Sequence, residues 1–193
     1  MTAGNAGRLL RVVGVAGSLR SGSYNRALLR AAQELVPSTM MITIEDLALL
    51  PMFNADLDSS GTPGSVAHLR TAIGACDGLL FATPEYNHGV PGILKNAVDW
   101  LSQPLKGSAL ERKPIAIMGA STGLAGTARG QMQLRQAFVL TNSPVMLQPE
   151  VLVGRAQERF DIEGRLTDEP TRRFLAGFLL HFAAWIEQHR ASD

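Results

Sequence analysis

The sequence predicts a single α/β domain, residues 1–193, in which helices cover both faces of a parallel sheet. Short apolar runs rich in valine, isoleucine and leucine alternate with longer segments of helical period, which is the pattern of parallel strands joined by crossover helices. A chain of 193 residues with 46% hydrophobic residues can build one well-packed core but is short for two. Because such crossovers are almost always right-handed, five strand–helix units wind into an open three-layer α/β/α sandwich.

Five strands and five helices are predicted in alternation. The strands are residues 9–16, 40–45, 78–83, 114–119 and a weaker one at about 145–152. The helices are residues 25–35, 65–75, 92–102, 126–141 and 167–189. Residues 51–64 are rich in turn formers and are predicted to be an irregular surface loop near the site or over an edge.

Composition and charge limit the possible partners and the cellular compartment. The formal charge is +1, so no large field favours nucleic acid or an anionic membrane. Cys76 is the only cysteine, which excludes an intrachain disulfide and fits a reducing compartment. Residues 1–7 carry no basic n-region, and the apolar run that follows is too short for a signal sequence or a membrane span. We therefore expect a cytoplasmic protein.

Function is expected in the loops that follow strands one, three and four, because open parallel sheets bind ligands beyond the carboxyl ends of their strands. The first of these loops is GSLRSGSYN, residues 17–25. Gly17 and Gly22 have the spacing of a P-loop, but Ser23 and Tyr24 stand where that motif needs a lysine and a magnesium-binding hydroxyl. The G-x-G-x-x-G fingerprint is also missing. The loop therefore argues against nucleoside triphosphate hydrolysis and against a dinucleotide fold.

What remains in this loop is a set of hydroxyls, backbone N–H groups and Arg20 at the start of a helix. These groups suit a terminal phosphate monoester. The alternative is an ordinary strand–helix turn in which Ser23 or Asn25 caps the helix. The loop alone favours neither interpretation.

The second loop, TPEYNHGVPG, begins where the third strand is predicted to end. Pro84 restricts the backbone, Tyr86 offers an aromatic face, and Asn87 with the surrounding amides can read the hydrogen-bonding edge of a flat heterocycle. Pro91 then begins a helix with apolar core spacing. This loop therefore favours a planar ring system over a sugar.

The third loop, GASTGLAGTARGQ, is a turn of small residues after strand four. Ser121, Thr122 and Gly123 allow close backbone approach, and the positive end of the following helix would stabilise negative charge nearby. Glycine-rich turns also occur without ligands, so this loop supports the site without establishing it.

In this order, GSLRSGSYN, PEYNHGVPGILKNAVDW and GASTGLAGTARGQMQLR closely resemble the NADPH-dependent FMN reductase family. That family includes quinone, chromate and azo-dye reductases of the flavodoxin-like superfamily, and the resemblance covers roughly residues 9–152. It implies a flavodoxin-like fold with strand order 2-1-3-4-5. It also implies a homodimer or homotetramer with the flavin near the subunit interface.

The resemblance also implies roles for individual residues, with no metal ion and no catalytic acid or base. The FMN phosphate loop would comprise Ser18, Leu19, Arg20, Ser23, Tyr24 and Asn25. The isoalloxazine loop would comprise Pro84, Glu85, Tyr86 and Asn87, and the turn beside the other edge of the ring would comprise Ser121, Thr122 and Gly123. His88 occupies a position where relatives vary, which leaves the substrate range open.

The implied activity is that of an FMN-dependent NAD(P)H oxidoreductase with ping-pong kinetics. Bound FMN would accept hydride at N5 from nicotinamide C4 and then reduce a quinone, azo compound, chromate or free flavin. Amides of the Ser121 turn would stabilise the anion of the reduced ring. A flavodoxin-type electron carrier with a protein partner is the alternative, although such carriers are usually strongly acidic. A dehydrogenase that uses pyridine nucleotide alone ranks third, and NADPH and NADH are not distinguished.

Several other residues receive structural interpretations. Cys76 is interpreted as a small packing residue. His68, His181 and His189 have no second ligand at metal-binding spacing, so no metal site is expected. Two groups are assigned to packing or to a helix surface: Asn96 and Asp99 with Trp100 at a boundary, and the core or interface stripe Phe174, Phe178, Phe182 and Trp185.

Overall fold

The computed structural model describes residues 8–189, which contain a five-stranded, all-parallel sheet in the order β2-β1-β3-β4-β5. The strands are β1 Leu10–Ala16, β2 Met40–Glu45, β3 Gly78–Ala82, β4 Ile115–Ala120 and β5 Val151–Val153. The helices are α1 Tyr24–Leu35, α2 Ala55–Gly61, α3 Gly64–Gly74, α4 Gly92–Leu101, α5 Ala128–Gln136 and α6 Glu169–His189. The predicted fold class and strand order are confirmed. The prediction about a leader segment falls on residues 1–7, outside the described residues.

Helices lie on both faces of the sheet, and the alternation of strand side chains decides which helix each residue contacts. Val12 and Leu80 belong to the core beneath α1 and α6. Val13 and Leu79, their immediate neighbours along the chain, belong to the core beneath α3, α4 and α5. The central strands β1 and β3 are therefore apolar on both faces, as a parallel sheet between two helical layers requires. Within residues 8–189, no helix is both long and apolar enough to cross a membrane.

The three loops with predicted functional roles begin side by side. In the sheet register Ala16 is paired with Ala82, and Ala82 is paired with Met118 of β4. The carboxyl ends of β1, β3 and β4 therefore lie at one edge of the sheet. This arrangement brings together three chain segments whose strands end at residues 16, 82 and 120.

The segment 51–64 is not irregular throughout, so that prediction is wrong in part. It contains α2, which is capped by Asn54, whose Oδ1 accepts a hydrogen bond of 2.9 Å from the Asp56 N–H. The capping signal overrides the turn residues that surround it. No residue of α2 is buried. An ion pair attaches α2 to α3: the two terminal nitrogens of Arg70 donate to the two carboxylate oxygens of Asp58, each at 2.8 Å.

The predicted bounds of α5, β5 and α6 also need correction. Residues after Gln136 form bonds to carbonyls three residues back, such as Phe138 N to Arg135 O at 3.3 Å, so α5 ends five residues early. The region 145–150 contributes only one isolated bridge before β5. Prolines at 144 and 149 remove ladder donors there. Helix α6 begins at Glu169, two residues after the predicted start. Residues 160 and 166 form an antiparallel bridge just before it, and the Thr167 N–H donates to Arg159 O beside that bridge.

Two residues of α4 that were interpreted as surface or boundary positions are buried. Trp100 is completely buried and Asn96 is 3% exposed. Asn96 Oδ1 accepts from Phe53 N at 2.7 Å, and Asn96 Nδ2 donates to Pro51 O at 2.9 Å. Trp100 Nε1 donates to the same Pro51 carbonyl at 2.8 Å. These bonds fix the segment after β2 against α4, whereas Asp99 stays partly exposed in an ion pair with Lys95.

Packing predictions for the single cysteine and for α6 are largely confirmed. Cys76 is buried. In the aromatic stripe, Phe178 and Phe182 lie in the core, and Trp185 packs at its edge. Phe174 lies outside the core, with 48% of its surface exposed, so its place in a subunit interface stays a prediction.

Candidate functional site

The three loops converge closely, and two glycines make this approach possible. A Cβ atom at Gly17 would lie 2.8 Å from Pro84 Cδ in the second loop. A Cβ at Gly119, just before the third loop, would lie 2.4 Å from Thr83 O and 2.0 Å from Thr127 Oγ1. Only glycine fits at such distances. The second loop is therefore packed directly between the first and the third.

The first loop combines a capped helix start with unpaired donors. Ser23 caps α1, since its Oγ accepts from Arg26 N at 3.4 Å. The exposed residues 19–22 keep N–H groups for which residues 8–189 supply no acceptor, and Arg20 makes no ion pair with any described residue. The loop is thus an ordinary capped turn and also a cluster of free donors, so the two interpretations of its sequence are compatible.

The side chains of Asn25 and Tyr24 contact other elements of the fold. Asn25 is buried and forms a pair of 2.9 Å hydrogen bonds with the backbone of Ala120, one to the carbonyl and one from the N–H. The ring of Tyr24 packs 5.5 Å from that of Phe160. Asn25 therefore ties the start of α1 to the end of β4. Both residues can offer a phosphate their backbone N–H groups at the first turn of α1.

The second loop forms a tight turn at its tip. Tyr86 and Gly89 are paired through two backbone hydrogen bonds of 3.2 and 2.9 Å. Between them Asn87 and His88 have φ values of 51° and 62°, as in a type I′ turn. Residues other than glycine adopt this conformation at a cost, and asparagine and histidine are among those that adopt it most often. The Tyr86 hydroxyl donates to Ser18 Oγ at 3.2 Å, so the turn also touches the first loop.

Glu85 in the same loop is engaged by α5. Its Oε2 accepts from the backbone N–H groups of Arg129 at 2.9 Å and Gly130 at 3.0 Å. Burial alone would raise the pKa of the Glu85 carboxyl, but these bonds and the Arg129 guanidinium outweigh it and lower the pKa. We expected the positive end of α5 to stabilise the charge of a ligand. Two of its N–H groups are instead occupied by a carboxylate of the chain itself.

The third turn offers one free amide out of three. Ser121 N donates to Val153 O at 2.9 Å, and Gly123 N donates to Ser121 Oγ at 3.2 Å. The N–H of Thr122 has no acceptor within residues 8–189. Of the three amides assigned to stabilise an anionic ring edge, that of Thr122 is therefore the available one.

Sequence reasoning missed Arg26 and Gln133. Arg26 lies 3.2 Å from Asp46, and both line a cavity of about 120 Å³ beside Ser18. Gln133 Oε1 accepts from Val90 N at 3.3 Å and so holds the far end of the second loop. Arg26 lies just after the first motif and Gln133 lies within the third. Neither contact follows from the motif pattern, because each joins segments that are distant in the chain. No group of three histidine, cysteine or acidic residues within the described part of the chain could hold a metal ion.

The arrangement fits FMN better than a nucleotide triphosphate. Arg20, the free N–H groups of residues 19–22 and the start of α1 form a cationic, donor-rich site suited to a phosphate monoester. The adjoining tight turn and the Thr122 amide lie at the neighbouring strand ends, where a flat ring could be held. The donor set contains no lysine at the P-loop position.

Comparison with known proteins agrees with this geometry. Residues 10–158 match the family described as NADPH-dependent FMN reductase. An NAD(P)H-dependent FMN reductase of Pseudomonas aeruginosa is 44% identical over 181 residues, which is 94% of this chain and 97% of the relative. A quinone reductase of Pseudomonas putida is 41% identical, over 92% of this chain and 95% of the relative.

A solved structure is also similar along nearly the whole chain. The flavoenzyme NAD(P)H:(acceptor) oxidoreductase FerB from Paracoccus denitrificans superposes with a TM-score of 0.86 at 35% identity. The superposition covers 93% of this chain and 98% of FerB. Since the family match spans most of the sequence and relatives of about 40% identity align over more than nine-tenths of both chains, the chain belongs to the NADPH-dependent FMN reductase family.

Proposed function

We propose that the chain is an FMN-dependent NAD(P)H oxidoreductase that passes two electrons to a small-molecule acceptor such as a quinone. The observation that carries this proposal is the convergence of a donor-rich phosphate loop and a tight turn at adjoining strand ends. The relatives named as FMN and quinone reductases support the same reaction. The near balance of acidic and basic residues argues against a carrier that docks on a protein partner.

When bound, FMN supplies the hydride acceptor and the two-electron donor of the reaction. The chain supplies binding and orientation. Arg20 and the N–H groups of residues 19–22 would hold the phosphate, and the backbone of residues 84–87 would hold the ring. The free Thr122 N–H would be available to stabilise negative charge at the ring edge. The reaction needs no acid or base from the chain, so we assign no side chain to proton transfer.

Binding selectivity tests this assignment. FMN titrated into the apo protein and followed by quenching of flavin fluorescence should bind at least tenfold more tightly than riboflavin, which lacks the phosphate. Steady-state double-reciprocal plots against NAD(P)H and quinone should then be parallel, as ping-pong kinetics require. Equal affinity for FMN and riboflavin would refute the assignment of the first loop to phosphate binding. Intersecting double-reciprocal lines would refute the alternating use of one site by the two substrates.

We propose in addition that the chain is one domain and forms a homodimer or homotetramer in the cytoplasm. Support for association comes from exposed apolar side chains on α5 and the turn after it: Met132, Val139 and Leu140. The reducing compartment is proposed from the single buried cysteine. Light scattering after size exclusion should give the mass of two or four chains, and a single-chain mass would contradict the proposal.

A further inference from the structure

Helix α5 begins without a cap from its own chain segment. Thr127 stands at the N-cap position, but its side chain makes no capping bond. Its Oγ1 instead accepts from Gln131 Nε2 at 3.1 Å inside the protein. The first N–H groups of a helix need an acceptor when they are shielded from water. That acceptor must therefore come from another part of the fold.

Glu85 provides this acceptor from more than 40 residues away in the chain. One carboxylate oxygen takes the N–H groups of Arg129 and Gly130, and the other lies 3.3 Å from the Arg129 guanidinium. Only 9% of the Glu85 side chain is exposed. These three contacts give both carboxylate oxygens a partner in a shielded position. The Glu85 side chain is therefore held in one orientation, towards the start of α5.

Two further contacts hold the same loop on the same helix. A Cβ at Gly130 would lie 3.3 Å from Gly89 O and 3.4 Å from Pro84 O, so the first turn of α5 lies almost directly on the loop backbone. Gln133, one turn later, accepts from Val90 N at 3.3 Å. The loop 84–90 is therefore held at both ends of its strained tip.

We propose that Glu85 is a positioning residue that fixes the ring-binding loop on α5 and offsets the positive charge of that helix end beside the flavin. The proposal rests on the function proposed above for this site. Glu85 would act on the flavin only through its neighbours, because both oxygens of its carboxylate are engaged by α5. The loop backbone that would contact the ring is thereby set before the cofactor arrives.

The negative charge of Glu85 has a direct electrostatic consequence. Without it, the Arg129 guanidinium and the partial positive charge of the α5 N-terminus are no longer offset. An uncompensated positive charge favours the anionic, reduced form of the cofactor. Replacement of Glu85 by glutamine, which removes the charge and keeps the size, should shift the flavin midpoint potential to a more positive value.

Protonation of Glu85 can be observed without any cofactor. The pKa of the Glu85 carboxyl is lowered from its ordinary value of 4.5. Its hydrogen bonds to the N–H groups of Arg129 and Gly130 are therefore intact at and above that pH, and they are lost only as pH falls through the lowered pKa. The charged group that faces it is Arg129 of α5, and the other titratable side chains of its own loop are Tyr86 and His88. The backbone amide resonances of Arg129 and Gly130 should therefore titrate together in the acid range.

Glu85→Gln and the control Glu111→Gln separate the possible outcomes. Glu111 also accepts a backbone N–H, that of Gly107, but it lies before β4 at the opposite end of the sheet. In the apo protein, the acid titration of the Arg129 and Gly130 amides should disappear in Glu85→Gln and persist in Glu111→Gln. In the FMN-loaded protein, Glu85→Gln alone should weaken FMN binding about tenfold and raise the potential.

Each result bears on a different claim. If the amides of Arg129 and Gly130 do not titrate in the wild-type protein, Glu85 does not hold the start of α5. This measurement needs no variant to fold. An unchanged FMN affinity and potential in Glu85→Gln would overturn the positioning role. A wild-type protein that binds no FMN would refute the proposed function, while the amide titration would still decide whether Glu85 caps α5.

Discussion

Arg20 is the side chain on which phosphate binding depends most directly. It is exposed, has no ion pair within residues 8–189, and lies among N–H groups that are also free. A charge-assisted hydrogen bond to a phosphate contributes about 1.5–3 kcal/mol. Arg20→Ala should therefore weaken FMN binding about 10- to 100-fold and leave riboflavin binding unchanged. Arg173→Ala, which removes another exposed arginine from α6, is the control, and an equal loss for both flavins would contradict the assignment.

Cys76 should be chemically inert in the folded protein. Burial raises the pKa of its thiol, an effect only partly offset by Lys113, and only 7% of the residue is exposed. Because the thiolate is the reactive species, a thiol reagent at neutral pH should label the unfolded chain and leave the native chain unmodified for much longer. Equal labelling rates in the two states would contradict the packing role.

At the scale of the elements, Asn96 joins α4 to the segment after β2. Its amide satisfies both Phe53 N and Pro51 O in a buried setting. Asn96→Ala leaves Phe53 N without an acceptor and removes one of the two donors to Pro51 O, which keeps its bond from Trp100 Nε1. It should therefore lower the free energy of unfolding by about 1–3 kcal/mol. Lys95→Ala, at a neighbouring exposed position, should change it by less than about 1 kcal/mol. Similar denaturation curves for the two variants would show that the segment is not held by Asn96.

The Asp58–Arg70 pair makes the attachment of α2 sensitive to acid. Hydrogen bonds from Arg70 and Thr62 lower the pKa of Asp58 to about 2. A lowered pKa means that the stabilisation is present above the ordinary value of 3.8 and is lost as pH falls towards 2. Because about a fifth of each side chain is exposed, screening reduces the contribution to about 1–2 kcal/mol.

Urea unfolding against pH measures this contribution. Asp58→Asn should be less stable than the wild-type chain at pH 7, and the difference should vanish as pH falls through the range where Asp58 becomes protonated. Asp56→Asn, on the same helix but without an ion pair among the described residues, should show a much smaller difference. A difference for Asp58→Asn that persists in strong acid would exclude the ion pair as its cause.

The elements that sequence patterns predicted well are those whose burial is continuous. Strand β3 is buried at every position, and its apolar run identified it to within one residue. The short strand β5 and the end of α5 were placed badly, because prolines and bonds to carbonyls three residues back end these elements through local geometry. Helix α2 was missed because it has no buried face and hence no hydrophobic period.

For the whole molecule, the strand order and the meeting of three loops followed from the resemblance and the strand–helix alternation. Side-chain direction did not follow, because it depends on contacts between distant segments. Asn25 and Glu85 illustrate this: both belong to motif segments, yet their side chains bind Ala120 and the start of α5. Motif residues can therefore build the site indirectly, by fixing the loops that would contact the cofactor.

The central claim is that the three loops form one flavin site that alternates between a nicotinamide donor and a small acceptor. The most direct test is to load the protein with FMN, mix it anaerobically with NADPH or NADH in a stopped-flow instrument, and then add a quinone. We expect the nicotinamide to bleach the visible flavin absorbance rapidly and the quinone to restore it fully. The claim would be contradicted if the protein stayed colourless after incubation with FMN. It would also be contradicted if neither NADPH nor NADH bleached the bound flavin.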